Sequence, residues 1–252
     1  LALLKTNETV NTLFDILRDG RVPKIHIAFS GKDIGSLFDE NHMILTGQTR
    51  QAKVKIPETD LMVTDLSSDV SVKKGVLSAV PQHGTISGSK ILSGRFDIDL
   101  LNYKDTPFSG KFSLDINLKY LPKTLISLLP DTLLADELKR INQISGQARA
   151  ELELDMPTGE QMPAVRVQTR GFPFTGLYER IPGMVNVENI VFAYADDVVT
   201  LTQVTGSVQN SRLENISAVI DFKQDTRLKI NSGQARLDVT TLFPWITSFE
   251  RP

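Results

Sequence analysis

The sequence predicts a mainly β protein: a long twisted antiparallel sheet with an apolar face continuous from strand to strand, built as two repeats, with a leading amphipathic helix and short helices between the repeats. Three observations predict it. Apolar and polar residues alternate with a period of two in segment after segment, as half-buried strands require. The continuous apolar runs and helical crossovers of a buried parallel sheet do not occur in these segments. Residues 70–100 and 192–222 also lie over each other without a gap at an offset of 122. Five of the 31 pairs are identical (Val76/Val198, Gly84/Gly206, Ser89/Ser211, Ile98/Ile220, Asp99/Asp221), where average residue usage gives about two. Apolar pairs recur between them, at Val70/Phe192, Val72/Tyr194, Leu77/Val199, Ala79/Leu201, Ile86/Val208, Ile91/Leu213 and Leu100/Phe222, which is the mark of a duplicated β unit.

The elements follow in chain order. Val10, Leu13, Phe14 and Leu17 stand at helical spacing in residues 6–19, with Gly20 just past the end, so the first expectation is an amphipathic helix. The period then changes to two. Ile25, Ile27 and Phe29 alternate with His26 and Ala28, and Ala52, Val54 and Ile56 with Lys53 and Lys55. Phe96, Ile98 and Leu100 alternate with Arg95, Asp97 and Asp99, and Phe112, Leu114, Ile116 and Leu118 with Ser113, Asp115 and Asn117. Residues 123–142 interrupt the strands with KTLISLL, a break at Pro130, and a stripe of Leu133, Leu134, Leu138 and Ile141, which predicts two short helices. Strand alternation resumes at Ala148, Ala150, Leu152 and Leu154, continues through Val165 and Val167, and closes with Leu228, Ile230, Ala235, Leu237 and Val239. The expected organisation is a leading helix over 1–21, a first repeat over 22–121, a helical connection over 122–144 and a second repeat over 145–252.

At 252 residues, 40% hydrophobic and 23% charged, the composition is that of a foldable globular chain. A net charge of −2 gives no electrostatic reason to expect nucleic acid, which asks for a basic face. No run of about 18 apolar residues is present. The chain opens at Leu1 without methionine, as a segment of a longer protein does. Its lack of cysteine removes disulfides, zinc–thiolate sites and thiol nucleophiles, and fits either cytoplasm or bacterial periplasm.

Residues that could carry chemistry have plainer readings. His26, His42 and His83 lack a second ligand at metal-binding spacing, so no metal or other cofactor is expected. Asp196–Asp197 reads as a hairpin turn; a glycoside-hydrolysing carboxylate pair needs two groups converging on one substrate. Ser30–Gly31–Lys32 and Ser109–Gly110–Lys111 lack the remainder of a phosphate loop and read as turns. The twice-used SGQAR, at 145–149 and 232–236, reads as the start of two similar strands, with glycine relieving a bend. Trp245, after Pro244 and beside Phe243, fits a core plug or an interfacial aromatic.

One family combines these features. The IHIAF strand, GQTRQAKVKIPETDLMVTDLSSDVSVKKGVL, GRFDIDL, the LP-containing helical break, ISGQARAELELDMP and LKINSGQARLDVTTLFPWI together resemble the AsmA-like superfamily, over nearly the whole chain. The resemblance implies a non-enzymatic bacterial envelope protein of outer-membrane biogenesis. Its parent would be anchored in the inner membrane through parts outside this segment. Its periplasmic part would be a repeating β-groove conducting phospholipids towards the outer membrane. The partners implied are phospholipid acyl chains, neighbouring repeats of the same chain, and the membrane.

On that reading the apolar alternates line the groove. In the first half these are Ile25, Ile27 and Phe29; Val54 and Ile56; Phe96, Ile98 and Leu100; and Phe112, Leu114, Ile116 and Leu118. In the second half they are Ala150, Leu152 and Leu154; Ile216, Ile220 and Phe222; and Leu237 and Val239. A strand of six to eight residues is about 20 to 27 Å long, comparable with an extended acyl chain. The alternative expectation is a structural or assembly module of the envelope in which the same strands close on themselves as a sandwich or barrel.

Overall fold

The computed structural model describes residues 16–29, 43–56, 59–101, 107–159 and 163–240. Thirteen strands occur among them: β1 (Leu17–Phe29), β2 (Met43–Lys55), β3 (Met62–Lys73), β4 (Val76–Ile86), β5 (Ser89–Asp99), β6 (Phe108–Asn117), β7 (Ile141–Met156), β8 (Ala164–Thr169), β9 (Phe172–Tyr178), β10 (Met184–Ala195), β11 (Val198–Val208), β12 (Ser211–Asp221) and β13 (Arg227–Arg236). A single 3-10 turn (Leu118–Tyr120) and two short helices, α1 (Leu121–Leu128) and α2 (Leu133–Leu138), separate β6 from β7. The mainly β, antiparallel class expected from the alternation is what the chain adopts.

The leading helix ends sooner than expected, at Ile16, which is helical. Residues 1–15 lie outside the described residues, and Leu17–Asp19, which the helical spacing included, already belong to β1. Cross-strand partners decide this: Leu17 stands opposite Val54 and Asp19 opposite Lys53, with an ion pair of 3.1 Å between the latter two.

The chain forms two compact units, Leu1–Leu114 with Leu152–Ala164, and Asp115–Glu151 with Val165–Pro252. In the first, β1 to β5 form an antiparallel meander in chain order. In the second, β10 to β13 do the same, while β8 and β9 both pair with β10, and β9 also pairs with β7. Two-residue turns with positive φ at both positions, Lys74–Gly75, Ser87–Gly88 and Asp196–Asp197, supply the twist that tight hairpins need.

The duplication is written into the strand limits. β3, β4 and β5 begin and end 122 residues before β10, β11 and β12. Register repeats as well: Leu77 faces Ile98 as Val199 faces Ile220, and Val70 faces Ala79 as Phe192 faces Leu201. β2 has a counterpart broken in two. Thr46 and Val54 of β2 face Ser71 and Val63, and at the same offset Gln168 of β8 and Gly176 of β9 face Ala193 and Val185. Both units also carry bulges with positive φ at register shifts, at Gln51 and Asp65 in β2 and β3 and at Gln203 and Asn215 in β11 and β12, although these do not correspond at the offset of 122. A bulge bends and twists the strand that carries it.

The two short helices expected between the strands form, beginning at Leu121, before the expected start, and ending at Leu138, short of the expected end. Pro122 in the first turn of α1 uses a position where its missing N–H costs nothing, and the Thr132 hydroxyl caps α2 by accepting from the Ala135 N–H at 3.1 Å. Ile141, expected on the helical stripe, starts β7 instead. Leu125, Leu128, Leu134 and Ala135 are buried. Glu137 of α2 accepts from the Tyr178 hydroxyl (2.5 Å) and the Arg180 Nε (2.9 Å), and a second Arg180 nitrogen donates to its other oxygen. Burial pulls the Glu137 carboxyl up, but the Arg180 and Tyr178 hydrogen bonds outweigh it and hold it below its ordinary value. Tyr178 is pushed up to about 12, by burial first and then by Glu137.

Candidate functional site

In an antiparallel sheet, residues directly opposite each other share a face, so register converts alternation into surface. In the first unit Ile27, Leu45, Val72, Leu77 and Ile98 are successive partners across β1 to β5, and Ile25, Gly47, Val70, Ala79 and Phe96 form the next row. With strands about 4.8 Å apart, each row is roughly 19 Å long. The opposite face carries His26, Thr46, Ser71, Ser78 and Asp97 in the same way. There the Arg95 hydrogen bonds hold the Asp97 carboxyl below the usual range. Exposure along the first apolar row falls from 50% at Ile27 to 1% at Ile98.

Over the middle of this face lies a hollow of about 90 Å³ with no polar surface in its lining. Its walls come from β2 to β6 and from Leu152 and Leu154 of β7, together with Ile16 and Leu17. Two hydroxyls sit in the wall, Thr49 and Ser68, and they are hydrogen-bonded to each other at 2.8 Å. No ionisable side chain contributes. A site of this kind can hold hydrocarbon; it offers nothing to coordinate, protonate or attack.

Eight of the expected lining residues meet here: Val54, Ile56, Phe96, Ile98, Phe112, Leu114, Leu152 and Leu154. Ile25 and Ile27 stand at the outer ends of the two rows, on the exposed strand β1, with Phe29 beyond them. Leu100 is buried outside the hollow. The others belong to the second unit. There Ile116, Leu118, Ala150 and Phe222 are buried, Ile216 and Ile220 are half-buried, and Leu237 and Val239 are exposed. The alternation had also named Ala52, which lines the hollow, but not Val63, Leu66 or Pro81, which line it too. Of the seven apolar positions that the duplicated segment had marked, Val70, Leu77, Ala79, Ile86 and Ile91 are in the lining, and Val72 and Leu100 are buried outside it.

The second unit has comparable rows. Val167, Tyr194, Val199, Ile220 and Leu228 are successive partners, as are Phe192, Leu201, Ala218 and Ile230. They too emerge at a strand with exposed side chains, β13.

The remaining candidates fall as follows. His26 and His83 are exposed, and among the described residues no group of three or more His, Cys, Asp or Glu is placed to hold a metal. Asp196–Asp197 is the turn between β10 and β11, where Asp197 accepts from the Tyr194 hydroxyl at 3.0 Å. Ser109–Gly110–Lys111 is corrected from a turn to the interior of β6, where Lys111 pairs with Glu153 at 2.5 Å. Both SGQAR segments lie inside β7 and β13 instead of opening them, and their glycines have φ of +143° and +138°. His42, Ser30–Gly31–Lys32 and Trp245 lie outside the described residues. Among the described residues no helix is long and apolar enough to cross a membrane.

No family model, curated protein or solved structure matches the chain.

Proposed function

We propose that this chain is a segment of a periplasmic, bridge-like protein of the AsmA-like type, which conducts phospholipids between the inner and outer membranes by sheltering acyl chains on the apolar face of its sheet. The observation that carries this reading is the hollow of the first unit, where rows of apolar side chains five strands wide meet walls with no polar surface. Each methylene kept from water contributes about 0.8 kcal/mol, so a sixteen-carbon tail bare in water costs on the order of 12 kcal/mol. A hydrocarbon face removes most of that barrier without covalent chemistry, because the chain passes from one oily surface to another. Headgroups would stay in water. Neighbouring repeats and a membrane anchor belong to parts of the parent protein beyond this segment.

The alternative reading is a structural or assembly module of the envelope with a closed β core. The near-complete burial of Ile98, Leu114 and Leu154 favours it to the extent that protein already covers part of the face. Native mass spectrometry with lipid extraction separates the two. The chain would be produced in a bacterial periplasm, purified in gentle detergent and stripped of it. Bound phospholipid supports the lipid reading, and a lipid-free, monodisperse protein rejects it in favour of the structural module.

A further inference from the structure

The repeat extends to the strands at the two ends of the sheet. Residues 109–116 read SGKFSLDI and residues 232–239 read SGQARLDV, with Ser, Gly, Leu and Asp identical and Ile116 matched by Val239, at an offset of 123. SGQAR also occurs in β7, but pairing decides the correspondence: β6 is the neighbour of β5, and β13 is the neighbour of β12, which is β5 moved by 122. β1 corresponds in turn to β7. Gly20 (φ +144°) lies against Ala52 and Gly146 (φ +143°) against Phe174, two residues that are themselves 122 apart. Past the bulge in β1, Lys24 pairs with Gln48 as the Arg149 carbonyl accepts from the Arg170 N–H, at offsets of 125 and 122. The offset of 125 also lays Ile25 and Ile27 over Ala150 and Leu152.

The counterparts differ in what stands beside them. In the first unit β6 and β7 are hydrogen-bonded neighbours, tied by Lys111 and Glu153, whereas β1 and β13 end the sheet among the described residues. Exposure follows that difference. Leu114 and Leu152 are 5% and 6% exposed, and their counterparts Leu237 and Ile27 are 51% and 50% exposed. An end strand offers its backbone edge to a further strand, and here the junction between β6 and β7 shows which kind of strand fits which edge.

We propose that β13 of one chain pairs with β1 of a second copy, extending the sheet between chains by the junction that β6 and β7 make within one. A single chain holds both halves of that junction, a β6-type edge at β13 and a β7-type edge at β1, so the partner that both edges fit is another copy. Because the two edges differ, the contact is head-to-tail and each copy keeps one edge for the next. Both end strands carry more basic than acidic side chains, with Arg18, Arg21 and Lys24 against Asp19 in β1, and Arg227, Lys229 and Arg236 in β13. Salt screens that repulsion, so the pairing tightens as ionic strength rises. The pairing joins backbone edges and stands under either reading of the apolar face.

The test uses the whole chain, which has no cysteine of its own. Ala28 and Gln234 are the counterparts of Glu153 and Lys111 at the offsets of 125 and 123, and both are exposed. Ala28→Cys and Gln234→Cys would be made in separate proteins, checked for folding by circular dichroism, and treated with a bismaleimide of short reach, alone and mixed. The mixture is expected to give about tenfold more cross-linked dimer than either variant alone. Sedimentation velocity of the wild type is expected to show species larger than the monomer that grow with protein concentration and with salt. A wild type that stays monomeric at every concentration would overturn the pairing. Cross-linking as efficient within each variant as in the mixture would overturn it too, because the copies would then meet through like edges or at random.

Discussion

Thr49 Oγ1 and Ser68 Oγ lie 2.8 Å apart and bond to each other across β2 and β3 in a wall that is otherwise hydrocarbon. The pairing lets two polar side chains stand in an apolar lining without an unmet hydrogen bond. Thr49→Val alone strands the buried Ser68 hydroxyl and is expected to cost about 1–3 kcal/mol of stability, whereas Thr49→Val with Ser68→Ala removes both partners and should be close to neutral. Urea unfolding of the two variants checks this. A double variant that loses as much as the single one would show that the pair is not self-contained.

Glu137 ties α2 to the strand end at Tyr178 and Arg180. Its carboxyl is held low in the folded chain, against about 4.3 when unfolded. The stabilisation is therefore present above the unfolded value and lost as pH falls through the folded one. Melting temperature should drop below about pH 4. Glu137→Gln should lower it at neutral pH, by about 1–2 kcal/mol of stability, and flatten the acid limb. An unchanged acid limb in Glu137→Gln would exclude this clasp as its source.

Asp99 and Asp221 occupy equivalent places in the two repeats. Each carboxylate accepts the backbone N–H two residues on, from Leu101 and Lys223, at 2.9 Å in both cases. Asp99→Ala and Asp221→Ala should each cost about 1 kcal/mol and leave lipid occupancy unchanged. Loss of lipid with folding intact would place these acids at the cargo.

The strands were legible because alternation and register follow from the same period of two, and the repeat was legible because β3 to β5 and β10 to β12 kept their lengths. Depth was not. Ile27 and Ile98 look alike in sequence and stand in one row, yet one is half exposed and the other sealed, because exposure depends on what covers each strand. The hollow is likewise made by small residues, Ala52 and Ala79, which an apolar pattern counts as weak members of a face. Leu17–Asp19 kept helical spacing but went to the strand that offered Val54 and Lys53 as partners. Ser109–Gly110–Lys111 has turn composition, yet it continues a strand whose alternation runs on through Phe112 and Leu114.

Both β1 and β13 carry large apolar side chains in the open, with Ile27 at 50% and Ile230 at 63% exposure. Such strands invite pairing with other chains. Ile27→Lys and Ile230→Lys should raise solubility and reduce self-association in sedimentation velocity, with stability changed by no more than about 0.5 kcal/mol. A large fall in melting temperature would mean that these side chains are already packed.

The most direct test of lipid carriage compares neighbouring positions of β2 that face opposite ways. Leu45 stands in the apolar row between Ile27 and Val72, and Thr46 in the polar row between His26 and Ser71. A photoreactive residue would be placed at 45 or at 46, and each protein irradiated with vesicles of radiolabelled phosphatidylethanolamine and phosphatidylglycerol. Sheltering of acyl chains on the apolar face predicts labelled lipid on the protein modified at 45 and little at 46. Equal labelling at both, or none at 45 in a folded protein, would contradict it.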